Sequence, residues 1–297
     1  MEKNMEHEIA AINQQSFKDK IKSYTKHPGS FLLLLLVLVA AVLTVGVLVF
    51  LVGYILIRGI PYLKPSLFAW TYNSDNVSML PAMINTLFMT VLALLLSVPF
   101  GVGAAIYLVE YAKKGNKLVG IIRVTAETLS GIPSIIYGLF GMLFFVTALK
   151  WGYSMMAGAA TLAIMVLPVI MRTTEEALLC VPDSFREGSF GLGAGKLRTI
   201  FKIVLPSAIP GILSGIILAI GRIVGETAAL IYTSGTVANL AGFFDSGRTL
   251  AIHMYSLSRE GMHTNEAYAT AVVLLIVVLI INGVSPLIAK KFEAPKQ

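Results

Sequence analysis

Arg222 and Glu226 stand four residues apart in GRIVGETAAL, a stretch as apolar as any in the chain. On a helix that spacing puts a guanidinium and a carboxylate on one face, within reach of each other. If the helix begins near Pro210, Arg222 lies about 18 Å along it at 1.5 Å per residue, close to the middle of a bilayer. A charge at that depth costs at least roughly 2.5–3.5 kcal/mol, so it faces a bundle interior or water and has a partner, for which Glu226 is the obvious candidate. Two chemistries fit: an ion pair that locks two helices, or a planar fork of donors for an oxyanion, with a carboxylate beside it to moderate the field. Gly211, Gly215 and Ala219 recur at intervals of four on the same face, which is therefore predicted to meet another helix and not lipid.

The composition demands a membrane. Of 297 residues 56% are hydrophobic and 13% charged, with a mean hydropathy of +0.80, too little polar surface to clothe a soluble globule of this length. Six apolar segments are long enough to span, at 31–57, 82–111, 121–149, 153–171, 209–232 and 267–289, against about 20 residues needed for a helix to cross. With every backbone polar group in lipid satisfied internally, the fold class is all-α and polytopic, with six transmembrane helices. The first segment exceeds the roughly 7–15 residues of a signal-peptide core and no small-residue cleavage site follows it, so it reads as a retained span. The organisation is then a polar tail at 1–30, a first helix at 31–57, a loop at 58–81 and a core of five helices at 82–292. Pro99, Gly101, Gly131, Pro133 and Pro168 mark bends.

The basic residues follow this topology. With the amino terminus inside, 17 fall in cytoplasmic pieces and five outside (Arg58, Lys64, Lys150, Arg248 and Arg259), leaving Arg222 in the membrane. Such asymmetry supports six helices with both termini cytoplasmic. It also accounts for the net charge of +7 without a nucleic-acid-binding patch. A plasma-membrane protein in contact with lipid and free of nucleic acid is the expectation.

Other chemistries lack their residues. Cys180 is the sole cysteine, so one chain builds neither a disulfide nor a cysteine metal site. His7, His27, His253 and His263 form no HExxH pair and read as ordinary surface residues. No G-x-S-x-G occurs and no Asp lies inside a span, which argues against an intramembrane enzyme. The glycines 191, 193 and 195 before Lys196 miss the Walker A pattern, which would require Gly at Phe190 and Ser or Thr at Leu197.

The segment 172–207 is far longer than the usual 2–8 residues between bundled helices, and such length signals a partner. Past Gly195 it alternates apolar and basic residues at helical spacing, predicting one or two short helices at the membrane surface or cradled by another protein. Glu187, Gly193, Ile203, Leu205 and Pro206 fall at the spacings of the cytoplasmic EAA motif of ABC importer permeases, with Gly188 and Ser189 replacing its two alanines. Together with NTLFMTVLALLLSVPFGVGAAIYLVEYA, LSGIPSIIYGLFG, LPVIMRTTEEAL, GRIVGETAAL and TLAIHMYSLSREG, the chain after about Pro81 resembles the phosphate ABC transporter permeases of the PstA type.

That resemblance implies the type I importer permease fold and one subunit of an ATP-driven phosphate importer in a bacterial plasma membrane. Its partners would be a PstC-type second permease, two copies of an ATPase and an extracytoplasmic phosphate-binding protein. The loop at about 173–206 would dock into the ATPase, with Glu187, Gly188, Ser189, Gly193, Ile203, Leu205 and Pro206 as coupling residues. This chain would bind no cofactor itself; ATP and Mg would be held by the ATPase. The resemblance places Arg222, Glu226 and Arg172 on the phosphate path, although Arg172, ending its span, reads equally as an arginine snorkelling to headgroups. Glu127 either pairs with one of these arginines or sits at the interface. The alternative cargo is another oxyanion, sulfate or molybdate.

Overall fold

A computed structural model describes residues 28–113 and 115–292, and every regular element among them is helical. In chain order these are α1 (Pro28–Gly59), α2 (Leu80–Ile106), α3 (Lys117–Ser130), α4 (Ser134–Gly141), α5 (Met155–Leu179), α6 (Asp183–Gly191), α7 (Lys196–Thr199), α8 (Leu205–Val224), α9 (Ala228–Ile231), α10 (Leu250–Glu260) and α11 (Thr264–Phe292). Three π turns extend them: Tyr107–Tyr111 after α2, Met142–Ala148 after α4, and Ile200–Val204, which joins α7 to α8. The tail at 1–27, with His7 and His27, lies outside the described residues.

The chain divides into two compact units, 1–55 and 56–297. The first holds most of α1, apolar on all sides, where Thr44 satisfies its hydroxyl by donating to the Ala40 carbonyl at 2.8 Å. The second unit is a helix bundle whose core has, among the described residues, three large clusters and a small fourth one of Phe145, Ala157 and Ala160. At one end Leu67, Val77, Met79, Ala82, Leu250, Leu257, Ala269 and Val273 pack together. In the middle Met89, Ala93, Tyr137, Leu162, Met165, Val166, Ala219, Ile223 and Leu230 bring α2, α4, α5, α8 and α9 into contact. At the other end Leu108, Val119, Met171, Leu178, Val181, Val204 and Ile212 close the layer beneath α6 and α7.

Helix α5 is the most enclosed, and its sequence shows how. Ala157, Gly158, Ala159, Ala160 and Ala163 are all buried, so neighbouring backbones approach closely. The small-residue face predicted on α8 meets α5: a Cβ on Gly211 would come within 2.6 Å of Ala177 Cβ, and one on Gly215 within 2.7 Å of Thr173 Cβ. The loop between α9 and α10 is tied to α2 by buried amide chemistry. Asn85 donates from Nδ2 to the Asn239 and Arg248 carbonyls at 2.8 and 3.2 Å and accepts from Ala241 N–H at 3.1 Å, while Thr86 Oγ1 accepts from Leu250 N–H at 2.8 Å. The same loop satisfies the start of α5, where Met155 and Met156 N–H donate to the Asp245 and Phe243 carbonyls.

The six-span expectation changes in detail. Five helices are long and apolar enough to cross a membrane, and α3 with α4, which the sequence suggested as one span at 121–149, form a pair bent by 100°. Gly131 and Pro133 make the elbow: Gly131 ends α3, and Pro133, with φ near −57°, starts α4. The Tyr137 hydroxyl donates to the Leu129 carbonyl at 2.7 Å, an acceptor that also takes Ile132 N–H at 3.1 Å, so one carbonyl joins the two sides of the bend. The span beginning at 153 continues to Leu179, well past its expected end at 171.

His253 is a further correction. It is no surface residue but fully buried on α10, edge-on to Tyr72 at 6.1 Å between ring centroids, and the Arg248 guanidinium stacks over the same tyrosine at 4.5 Å. Burial, reinforced by the Arg248 charge, lowers its pKa from 6.5 to about 3. A histidine neutral in the folded state contributes stability that is complete above its unfolded pKa and is lost as the pH falls toward the folded value, because the unfolded chain takes up the proton first. The unfolding midpoint of the purified protein in detergent is therefore expected to fall more steeply between pH 6.5 and 4 for the wild type than for His253→Gln, as read by parallel thermal melts; equal slopes would refute the assignment.

Candidate translocation and coupling sites

The ion pair suggested by the sequence does not form. Helix α8 stops at Val224, Gly225 caps it, and Glu226 falls in the break before α9. There its Oε1 accepts from Ala229 N–H at 3.0 Å, so the buried carboxylate caps the next short helix instead of meeting the arginine. Arg222 occupies the last turn of α8, where the negative end of the helix dipole favours a cation. It is half-buried, close enough to Tyr137 for its charge to act on the phenol, and has no carboxylate or hydrogen-bond partner among the described residues. The break is what separates the two charges, since an unbroken helix would have stacked them.

Arg172 lies elsewhere, in a cleft of about 470 Å³ between α3 and α5 that is also lined by Arg123, Glu127, Ser130, Glu175 and Glu176. Two carboxylates hold its guanidinium, Glu127 at 3.5 Å and Glu176 at 3.1 Å. Because α5 runs seven residues beyond it, Arg172 faces this cleft from the helix body and does not end the helix. Arg123, which the sequence reading passed over, forms a close pair with Glu175, a carboxylate buried on α5. Glu175 and Glu176, adjacent in chain, thus point to different arginines. An arginine on α3 at helical spacing from Glu127 was the signal that could have been used.

The long loop is mostly helix. Only 180–182 and 192–195 separate α5, α6 and α7, and the second amphipathic piece is the start of the continuous 29-residue helix Lys196–Val224. The motif residues acquire physical reasons. Gly193 has φ +81°, a left-handed conformation that ends α6 and that a residue with a Cβ adopts at a cost. Ser189 is buried and its hydroxyl meets that of Thr199 at 2.8 Å, joining α6 to α7. Pro206 has no N–H to give to a carbonyl four residues back, and the π turn Ile200–Val204 precedes it. Gly188 opens onto empty space, and Glu187 is exposed. Around them Phe185, Phe190, Leu192, Leu197 and Phe201 present apolar side chains outward, Leu192 with 91% of its surface exposed. An exposed apolar patch of this kind marks a surface that a protein or a membrane covers.

Paired and half-paired arginines should respond differently to removal. Arg123→Ala leaves the buried Glu175 carboxylate without its partner, which costs about 1–3 kcal/mol, whereas Arg172→Gln removes only exposed pairs of small worth. Thermal melts in detergent are expected to show a lowered midpoint for Arg123→Ala and an unchanged one for Arg172→Gln; the reverse order would contradict the geometry.

Comparison with known proteins agrees with this architecture. Residues 97–294 match the family described as binding-protein-dependent transport system inner membrane component. The probable ABC transporter permease protein YqgI of Bacillus subtilis (strain 168) is 36% identical over 262 residues, covering 82% of this chain and 88% of its own. The phosphate transport system permease protein PstA 1 of Mycobacterium tuberculosis (strain CDC 1551 / Oshkosh) is 38% identical over 205 residues, 68% of this chain and 67% of its own. PstA of Yersinia pestis is 37% identical over 204 residues, 67% and 68% respectively. Among solved structures, a bacterial alginate ABC transporter in complex with an alginate pentasaccharide-bound periplasmic protein superposes with a TM-score of 0.67 over 91% of this chain and 98% of that one, at 15% identity. The inward-facing MetNI methionine ABC transporter gives 0.57 over 71% and 93%, at 21% identity. With a family match over most of its length and the type I importer fold around its broken helices, the chain belongs to the inner membrane components of binding-protein-dependent transport systems, the permeases of ABC importers.

Proposed function

We propose that this chain is the phosphate-moving permease subunit of an ATP-driven importer. The observation that carries the reading is Arg222: a half-buried guanidinium at a helix break, with no carboxylate of its own, is a cation waiting for an anion. Phosphate suits it, since the planar fork matches two of its oxygens. Glu226 keeps the carboxylate oxygen not used on Ala229, which accepts a hydrogen bond from a protonated phosphate and offers nothing to fully deprotonated sulfate. The relatives named for phosphate transport support the same cargo. Arg172, held between Glu127 and Glu176, is a second station, where an arriving anion exchanges with carboxylates already in place.

The family match supports the remaining parts of this reading. A PstC-type permease completes the path, and a phosphate-binding protein delivers the anion on the extracytoplasmic side. Two ATPase subunits, which hold ATP and Mg, dock on the apolar surface around Glu187 and Gly188, so that ATP hydrolysis falls to the partner chains. Both termini of this chain lie in the cytoplasm of a bacterial cell.

The test is energised uptake of labelled phosphate by cells expressing the whole complex, with and without excess sulfate. Wild-type uptake is expected to resist sulfate. Hydrogen bonds to charged groups are worth about 1.5–3 kcal/mol, so Arg222→Ala is expected to lower uptake roughly 10- to 100-fold while pull-down still recovers the ATPase. Uptake suppressed by sulfate would assign a different oxyanion, and normal uptake by the variant would remove Arg222 from the path.

A further inference from the structure

We propose that Arg186 and Glu110 form the joint through which the docking loop moves the membrane helices. Arg186 sits on α6, one residue before Glu187, and is largely enclosed, with 14% of its side chain exposed. Its Nε and Nη2 both donate to Glu110 Oε1, at 3.1 and 2.9 Å. Nη2 also donates to the Leu178 carbonyl at 2.9 Å, and Nη1 to the Val181 carbonyl at 2.7 Å and to Asp183 Oδ1 at 3.2 Å. One side chain therefore joins three elements: α6, the end of α5 and the π turn that ends α2.

Stability alone is a poor reason for such a pair. Two charges removed from water recover little net energy over well-packed apolar groups, and apolar packing already closes this layer through Leu108, Leu178, Val181 and Val204. What apolar contacts do not supply is direction, because they slide, whereas a forked guanidinium on one carboxylate oxygen holds both partners in a fixed orientation. The Leu178 carbonyl, which also accepts from Val181 N–H at 3.3 Å, stands at the end of α5, where a cation meets the negative end of the helix dipole. Arg186 thus grips α5 by its terminus.

A second contact meets the same π turn independently. Lys196, the first residue of α7, places Nζ 4.7 Å above the Tyr111 ring. The consecutive residues Glu110 and Tyr111 catch the loop on both sides of its tip, while the Ser189 and Thr199 hydroxyls tie those sides together. Moving α6 displaces α2 and α5 as a unit, and α5 carries Arg172 only six residues before Leu178, about 9 Å at 1.5 Å per residue. Arg186 and Glu110 are positioning residues; neither touches the cargo.

The inference rests on the reading that α6 and its flanks dock an ATPase, and the experiment separates the two. The complete importer, with its binding protein, is reconstituted in vesicles with wild-type chain, Arg186→Lys, Glu110→Gln or the double variant, and phosphate transported per ATP hydrolysed is measured with ATPase recovery by pull-down. Couplings between distant sites span about 5- to 150-fold; each single variant is expected to keep the ATPase and its basal hydrolysis but to lower the ratio about tenfold, and the double variant to fall no further. A wild-type ratio in both single variants, additive losses in the double, or loss of uptake only in step with loss of bound ATPase would each overturn the joint. ATPase recovered equally well with a wild-type chain and one bearing Leu192→Asp and Phe190→Asp would instead overturn the docking reading.

Discussion

A bilayer offers no water to a broken helix, and this fold is organised around that fact. Wherever the backbone leaves helical geometry at depth, its freed donors and acceptors need partners from the chain itself. The α3–α4 elbow is closed by the Tyr137 hydroxyl on the Leu129 carbonyl. The α8–α9 break is closed by Glu226 on the Ala229 N–H. Both side chains are polar groups that are costly to bury without a partner, and each finds its partner in the backbone beside a break.

The arginines divide along the same line. Arg186 and Arg123 answer buried carboxylates, Glu110 and Glu175, and hold helices together. Arg172 is balanced between two exposed carboxylates in an open cleft. Arg222 is left over because the carboxylate four residues on is committed to a backbone N–H. The free charge and the helix break are one feature: ending α8 at Gly225 turns the local chain away and frees the guanidinium from an intrahelical partner.

Much of this was legible in the sequence. Hydropathy gave the membrane class and the first, second and last spans, and the Gly211, Gly215, Ala219 spacing gave the face that meets α5. The EAA spacing located α6, with Gly193 adopting the left-handed conformation its motif position implies. The failures trace to breaks and burial. Gly225, Glu226 and Thr227 read as a helix stop followed by polar capping residues, yet the apolar residues on either side hid the stop. Gly131 and Pro133 were seen as a bend but not as an elbow of 100°. His253 looked like a surface residue because its loop is polar, although Leu250 and Leu257, three residues before and four after, are buried on the same helical face. Arg186 was invisible because its carboxylate comes from a distant segment, and for Arg123 the spacing to Glu127 marked the residue but not its partner Glu175, which only the packed fold brings to it.

The unbroken helix from Lys196 to Val224 has one more consequence. Its first turn is tied to α6 through Thr199 and Ser189, its last turn carries Arg222, and 26 residues separate Lys196 from Arg222, about 39 Å at 1.5 Å per residue. A helix of that length resists stretching but turns about its own axis as a shaft does. Were that helix turned about its axis, the guanidinium would change heading with little travel along the helix.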